Sequence, residues 1–233
     1  MTSVEVLCFI RNPFDHAASQ YQQTIKTWGK THSFDDYLST YRFPKRLGEF
    51  LSFNSENGFS TKILNYSNHR SDVLSEVESW LAVPAGTLQA PKENQVNRSL
   101  TRSELELQRL CNFYISPEFS EAISDKLIHA LPDQKSEIPA ASEKAVRAFL
   151  ERMHKQVALI NPLLPEAERY VVEAADTVLP LVSSEFETEH FYFSTRQLMA
   201  LSELFAEQQP GREKSWFGKS LDSLAKRWRQ KAK

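Results

Sequence analysis

Glycine is scarce in this 233-residue chain: the six present, at positions 29, 48, 58, 86, 211 and 218, are too far apart to form a G-x-G-x-x-G or G-x-x-x-x-G-K loop. A complete glycine-rich phosphate cradle is therefore absent. Cysteine is scarcer still. Cys8 and Cys111 stand alone in separate apolar stretches, which excludes a disulfide framework and a four-cysteine zinc site and points to a reducing compartment. No apolar run approaches the ~20 residues that span a bilayer. The start Met-Thr-Ser-Val-Glu has neither the basic residues nor the apolar middle of a signal peptide, so the expected location is cytoplasmic. Gly-x-Ser-x-Gly and H-E-x-x-H patterns are also missing, and His129, His154 and His190 have no metal-ligand spacing, so no metal is expected there.

What remains is a balanced composition, 41% hydrophobic and 25% charged, suited to a globular core. Its net charge of −2 conceals an asymmetry. Residues 211–233 carry eight Lys/Arg against Glu213 and Asp222, a charge of +6, which leaves −8 on the remainder.

Residues 3 to 10 form a short β-rich run that reads as a buried strand. Arg11-Asn12-Pro13-Phe14-Asp15 follows at once: Asn12 suits a helix cap, Pro13 the first helical position and Asp15 the first turn. The strand thus turns into a helix running to about Trp28. Capping boxes at Ser33-x-x-Asp36 and Thr101-x-x-Glu104 open further helices. Leu47 to Phe53 reads as helix, Thr61 to Tyr66 as a second strand, Ser71 to Leu81 as helix and Pro84 to Val96 as loop. Beyond Thr101 helices are expected at 102–114, 117–130, 142–160, 165–176 and 195–208, separated by prolines. The expected class is α/β, divided into an α/β region at 1–131, a helical layer at 132–210 and a basic amphipathic tail at 211–233.

An arginine closing a buried strand, just before a capped helix start, sets a guanidinium beside free N–H groups and the positive end of a helix dipole. That is a phosphate or sulfate site by chemistry. Ser19, two turns on, can add a hydroxyl. The alternative is a structural one, with Arg11 paired to a carboxylate and Ser19 a small residue at a helix contact.

The segment Ile10-Arg11-Asn12-Pro13-Phe14-Asp15-His16-Ala17-Ala18-Ser19-Gln20-Tyr21 resembles the 3′-phosphate motif of sulfotransferases that use 3′-phosphoadenosine 5′-phosphosulfate (PAPS). The resemblance implies that Arg11 and Ser19 bind the nucleotide 3′-phosphate. Ser33 to Leu38, Lys62 to Tyr66 and Val77 to Pro84 are similar to later parts of the same family, with Ser67 where the family often has an acid. Asn97-Arg98-Ser99-Leu100 resembles a segment of bacterial glycan sulfotransferases, which implies that Arg98 folds over the nucleotide. The likeness covers roughly residues 3 to 115. It implies an incomplete P-loop-NTPase-like sulfotransferase core, a PAPS donor and a glycan or similar hydroxyl acceptor. The family's lysine-containing phosphosulfate loop and general base precede this motif, so the chain is expected to correspond to the C-terminal portion of such an enzyme, with a catalytically incompetent nucleotide- or partner-binding form as the alternative. His16 and the Lys30-Thr31-His32 loop do not inherit the role of base.

Two other features stand out. Tyr41-Arg42-Phe43-Pro44-Lys45-Arg46 is a basic-aromatic cluster that suits an acidic sugar, or else a solvated helix start. In the tail, Phe217, Leu221, Leu224 and Trp228 make one apolar helical stripe flanked by basic residues. It suits an anionic membrane surface or docking onto the acidic body of this chain. The acidic body argues against nucleic acid.

Overall fold

The computed structural model describes residues 4–90, 98–182 and 191–207; the basic tail, Asn97, His190 and the last residue of the final expected helix lie outside them. The described residues form a mixed α/β structure that is mostly helical. Two parallel strands, β1 (Glu5–Ile10) and β2 (Ser60–Asn65), pair in register from Glu5 opposite Ser60 to Ile10 opposite Asn65. Three helices connect them: α1 (Pro13–Trp28), α2 (Phe34–Thr40) and α3 (Phe43–Glu56). After β2 come α4 (Val73–Trp80), α5 (Arg102–Tyr114), α6 (Pro117–Ala130), α7 (Glu143–Ile160), α8 (Ala175–Val182) and α9 (Thr195–Glu207). None of these helices is long and apolar enough to cross a membrane.

Local chemistry fixes many of the boundaries. Both expected capping boxes form, with Ser33 and Asp36 closing one at α2 and Thr101 and Glu104 one at α5. Gly29 ends α1 at φ 62°, a left-handed conformation that suits a residue without Cβ. A Cβ there would also come within 2.7 Å of Pro117 at the start of α6. That glycine lets two helices meet closely.

Three apolar clusters make the interior. Phe14, Ala17, Tyr21 and Ile25 of α1 pack with Phe34 and Leu38 of α2, Val146, Phe149 and Met153 of α7, and Val178 and Val182 of α8. The face of the sheet carrying Ile10 and Ile63 packs on Leu47, Val157, Ile160 and Tyr170. A third cluster joins α5, α6 and α9 through Cys111, Ile123, Leu127 and Leu201. Helix α7 serves the first two, its N-terminal half facing α1 and its C-terminal end facing the strands. Residues on both sides of position 131 therefore share one core. Cys8 and Cys111 are free thiols, both raised in pKa by burial.

The expected helix at 165–176 does not form. The chain makes a single 3₁₀ turn at Glu166–Glu168, runs extended past Tyr170, and becomes helical only at Ala175. Its backbone is claimed by distant side chains: Asn161 bonds Tyr170 at both N–H and carbonyl, and Asn12 Oδ1 accepts the Val171 N–H at 3.0 Å. Those bonds replace an internal helical ladder. Pro180, expected as a breaker, lies inside α8, where Val178 and Val182 are buried.

Glu104 does more than cap. Its carboxylate, fully buried, receives a two-pronged ion pair from Arg98 at 2.7 and 2.8 Å and a further bond from Gln197 of α9 at 2.9 Å. Arg98 also donates to the Leu127 carbonyl near the end of α6 at 3.1 Å. Burial raises the Glu104 pKa, but the bonds from Arg98, Gln197 and Thr101 outweigh it and hold the group below its ordinary value. Removing one partner leaves a charge uncompensated in the interior. Arg98→Ala is expected to cost about 3–5 kcal/mol in urea unfolding; a loss below about 1 kcal/mol would show that the pair does not hold α5, α6 and α9 together.

Candidate anion-binding site

Parallel pairing brings the C-terminal ends of both strands to the same edge, the place where α/β sheets offer ligands their loops. The ladder runs one step further, with the Tyr66 N–H donating to the Ile10 carbonyl at 2.7 Å. Arg11 and Tyr66 thus leave the sheet side by side, and the Arg11 guanidinium lies 5.8 Å from the centre of the Tyr66 ring. That ring face stabilises the cation and restricts its direction.

Asn12 was expected to cap α1 with its side chain, and it does not. Its Oδ1 instead accepts from Asn65 Nδ2 at 3.2 Å and from the Val171 N–H at 3.0 Å. Its own N–H donates to Ser67 Oγ at 3.2 Å, which gives that serine a structural task. The first turn of α1 is left without a cap from Asn12, at the positive end of a 16-residue helix.

Asp15 occupies that first turn. Its Oδ2 lies 3.6 Å from Arg11 Nη2 and 2.7 Å from Arg70 Nη2, so one carboxylate sits between two guanidinium groups. Arg11 Nε is shielded from solvent without a hydrogen-bond partner among the described residues. Ser19 lies four residues after Asp15 on the same helical face and is exposed; no described residue bonds its hydroxyl. Glu173 lies close enough to Asp15 to feel its charge. Burial, and then the nearby negative Asp15, raise its pKa, and its Oε2 is buried without a partner. The arrangement is a two-arginine cradle, with a carboxylate of the chain itself between the arms.

The structure therefore gathers Arg11 and Asp15 at the N-terminal end of α1 and brings in Arg70, which the sequence reading did not single out, while Ser19 lies about 9 Å along the helix from Pro13. Reading the second strand end as the first was read would have reached Tyr66, the counterpart of Arg11, and not Arg70, which comes five residues after β2. Arg98 does not join them. Both its terminal nitrogens are committed to Glu104 in the interior, and its neighbour Leu100 bonds Gln22, roughly 14 Å along α1 from Pro13. Arg98 thus offers no free donor fork to a nucleotide at Arg11. Lys30 and His32 stand beyond the far end of the same helix.

The basic-aromatic cluster at 41–46 opens α3 with Arg42, Lys45 and Arg46 exposed, while its two rings turn inward. Tyr41 is buried with its hydroxyl 2.8 Å from His16 Nδ1, and Phe43 packs at 4.2 Å on the His16 ring. Neither ring is left to stack on a sugar. His69 holds its two ring nitrogens toward carboxylates, Nε2 at 3.0 Å from Glu168 and Nδ1 at 3.3 Å from Asp72. Neither nitrogen faces an acceptor hydroxyl.

No protein-family model matches the chain, and neither a curated protein nor a solved structure matches it significantly.

His16 gives the site's edge a pH signature. Burial, and secondarily the positive Arg11, lower its pKa to about 4. The unfolded chain takes up a proton near 6.5 and the folded one only near 4, so this contribution is complete above pH 6.5 and is lost as pH falls toward 4. Its full size is up to about 3 kcal/mol. Unfolding free energies measured from pH 7.5 to 4 should show this decline, and His16→Gln should flatten it; an equally steep decline in the variant would exclude His16 as its source.

Proposed function

We propose that the chain is a sulfotransferase-like protein that holds the 3′-phosphate of 3′-phosphoadenosine 5′-phosphosulfate at Arg11 and Ser19, with Arg70 as a second cationic arm. Its core is then a form of the P-loop-like sulfotransferase architecture. The reaction is in-line sulfuryl transfer to a hydroxyl of a glycan or similar acceptor. The acceptor oxygen bonds to sulfur as the sulfur–phosphate oxygen bond breaks, the hydroxyl proton passes to a base, and adenosine 3′,5′-bisphosphate leaves.

The single observation that carries this reading is the Arg11 turn. A guanidinium leaves a strand end beside an uncapped helix start and keeps one N–H without a partner among the described residues, and the helix it precedes carries an exposed serine two turns on. A phosphate dianion meets all three requirements at once: charge, several acceptor oxygens and partial exposure. The likeness of residues 10–21 to the sulfotransferase motif selects the nucleotide among phosphates.

A second reading, nucleotide or partner binding without transfer, draws on the histidines. His69 has both nitrogens on carboxylates, and His16 is turned onto Tyr41 and Phe43, so neither is placed as a base. Transfer of labelled sulfate to a glycan hydroxyl separates the two readings, since both require binding.

Adenosine 3′,5′-bisphosphate at a hundred times its dissociation constant should raise the melting temperature by about 5–10 °C. Adenosine 5′-monophosphate should do much less. Arg11→Ala should abolish the shift, and Ser19→Ala should weaken binding about tenfold, the effect of losing one hydrogen bond to a charged oxygen. An absent shift, or one equal in wild type and Arg11→Ala, rules the assignment out.

A further inference from the structure

The turn after β2 does more than deliver Arg70. It folds His69 onto Asp72, the residue just before α4, and Glu76 lies one turn further along the same helical face. His69 Nδ1, an Asp72 carboxylate oxygen and a Glu76 carboxylate oxygen all lie within 4.8 Å of one another. We propose that His69, Asp72 and Glu76 bind one divalent transition-metal ion of the zinc type, with Glu168 orienting the imidazole from behind.

Three independent features support this. The first is spacing: His69 Nδ1 and Asp72 Oδ2 are 3.3 Å apart, close to the ~3.4 Å edge of a tetrahedron whose arms are zinc-to-nitrogen and zinc-to-oxygen bonds. The second is the orientation of the ring. Glu168 is nearly buried and pinned through Oε2 to the Asn65 N–H at 2.5 Å, which leaves Oε1 as a fixed acceptor 3.0 Å from His69 Nε2. Both ring nitrogens face carboxylates, the arrangement in which an imidazolium donates to each; a metal ion would take the place of the Nδ1 proton while Nε2–H stays on Glu168, and a carboxylate behind a ligating imidazole is the usual support of such a metal.

The third feature is Asp72 itself. It stands at the cap position of α4 yet makes no side-chain cap bond, and its Oδ1 is shielded from solvent without a hydrogen-bond partner. Its side chain is 47% exposed, so an ion arriving from solvent can reach the oxygen that faces His69. Glu76 currently meets the ammonium of Lys62 at 2.9 Å, a partly exposed pair. Such pairs are weak, so Lys62 is a displaceable resident cation.

The donor set fixes the class of metal. One imidazole with two carboxylates suits zinc, cobalt or manganese, whereas magnesium and calcium prefer all-oxygen shells. Three protein ligands leave a coordination position for water. The proposal does not depend on nucleotide binding, because none of its ligands belongs to the Arg11 cradle.

The test uses the full chain with cobalt(II) alone as a visible-absorption probe, followed by competition with zinc(II). The expected result is one equivalent bound with a dissociation constant on the order of 10 µM or tighter, displaced by zinc and not by magnesium. His69→Ala and Asp72→Ala should each weaken binding at least about tenfold, and Glu168→Gln should weaken it about 10- to 100-fold. Lys62→Ala should tighten binding several-fold, an effect that a purely structural His69 pairing does not produce, and circular dichroism checks that each variant is folded. Arg11→Ala should leave cobalt binding unchanged. Absence of a cobalt spectrum, indifference to His69→Ala and Asp72→Ala, equal competition by magnesium, or no gain in Lys62→Ala would each overturn the proposal.

Discussion

The buried amide of Asn65 is the constraint on which the strand edge depends. Asn65 is fully buried at the last position of β2, where four hydrogen bonds meet it. Its N–H donates to Glu168, its Nδ2 donates to Asn12 Oδ1 and the Arg169 carbonyl, and its Oδ1 accepts the Ser67 N–H. Four separate pieces of chain are thereby held by one side chain and its backbone: the β1–α1 turn, the turn after β2, the 3₁₀ turn at Glu166–Glu168 and the extended run after it. A polar group so deeply placed is tolerated only when its bonds are made, so any rearrangement of these segments leaves unpaired donors in the interior. The position of Arg11 follows from that requirement. Asn12 is drawn toward Asn65 and Val171, and the guanidinium beside it is left directed across the Tyr66 ring.

A second buried polar group, the Arg98–Glu104 pair, does comparable work on the opposite side of α1. It does not supply the most stability per atom, because well-packed apolar side chains could fill the same volume at lower desolvation cost. What it supplies is mutual placement of α5, α6 and α9, whose apolar faces alone would tolerate sliding. Helix α7 links two of the three apolar clusters, with Phe149 and Met153 turned toward α1 and Ile160 toward the sheet.

Local signals were readable in the sequence and distant ones were not. The first strand ending at Ile10, the helix start at Pro13, both capping boxes and the helix at 117–130 are statements about neighbours within four residues, and each has its own side-chain chemistry; the helix expected at 47–53 is longer, Phe43–Glu56. The helix expected at 165–176 failed because Asn12 and Asn161 claim its backbone, and a bond spanning 159 residues leaves no trace in a hydropathy period. Arg98 was expected to fold over a nucleotide only because residues 97–100 resemble a sulfotransferase segment. Only Glu104, six residues on, and Leu127, twenty-nine residues on, reveal it as an interior group. His69 and Arg70 were not singled out because they come four and five residues after β2, where Tyr66 is the counterpart of Arg11. The parallel register that makes the two strand ends equivalent is a tertiary fact.

Asp15, lying between Arg11 and Arg70, is a competitor tethered to its own receptor. A carboxylate fixed in place is present at an effective concentration that a dilute free anion does not match. An entering monoanion exchanges one negative charge for another and gains little, whereas a phosphate monoester brings nearly two charges and three acceptor oxygens to the same pair of arginines. On the proposed reading, the first turn of α1 thus sets the threshold for entry and favours a dianion over a monoanion.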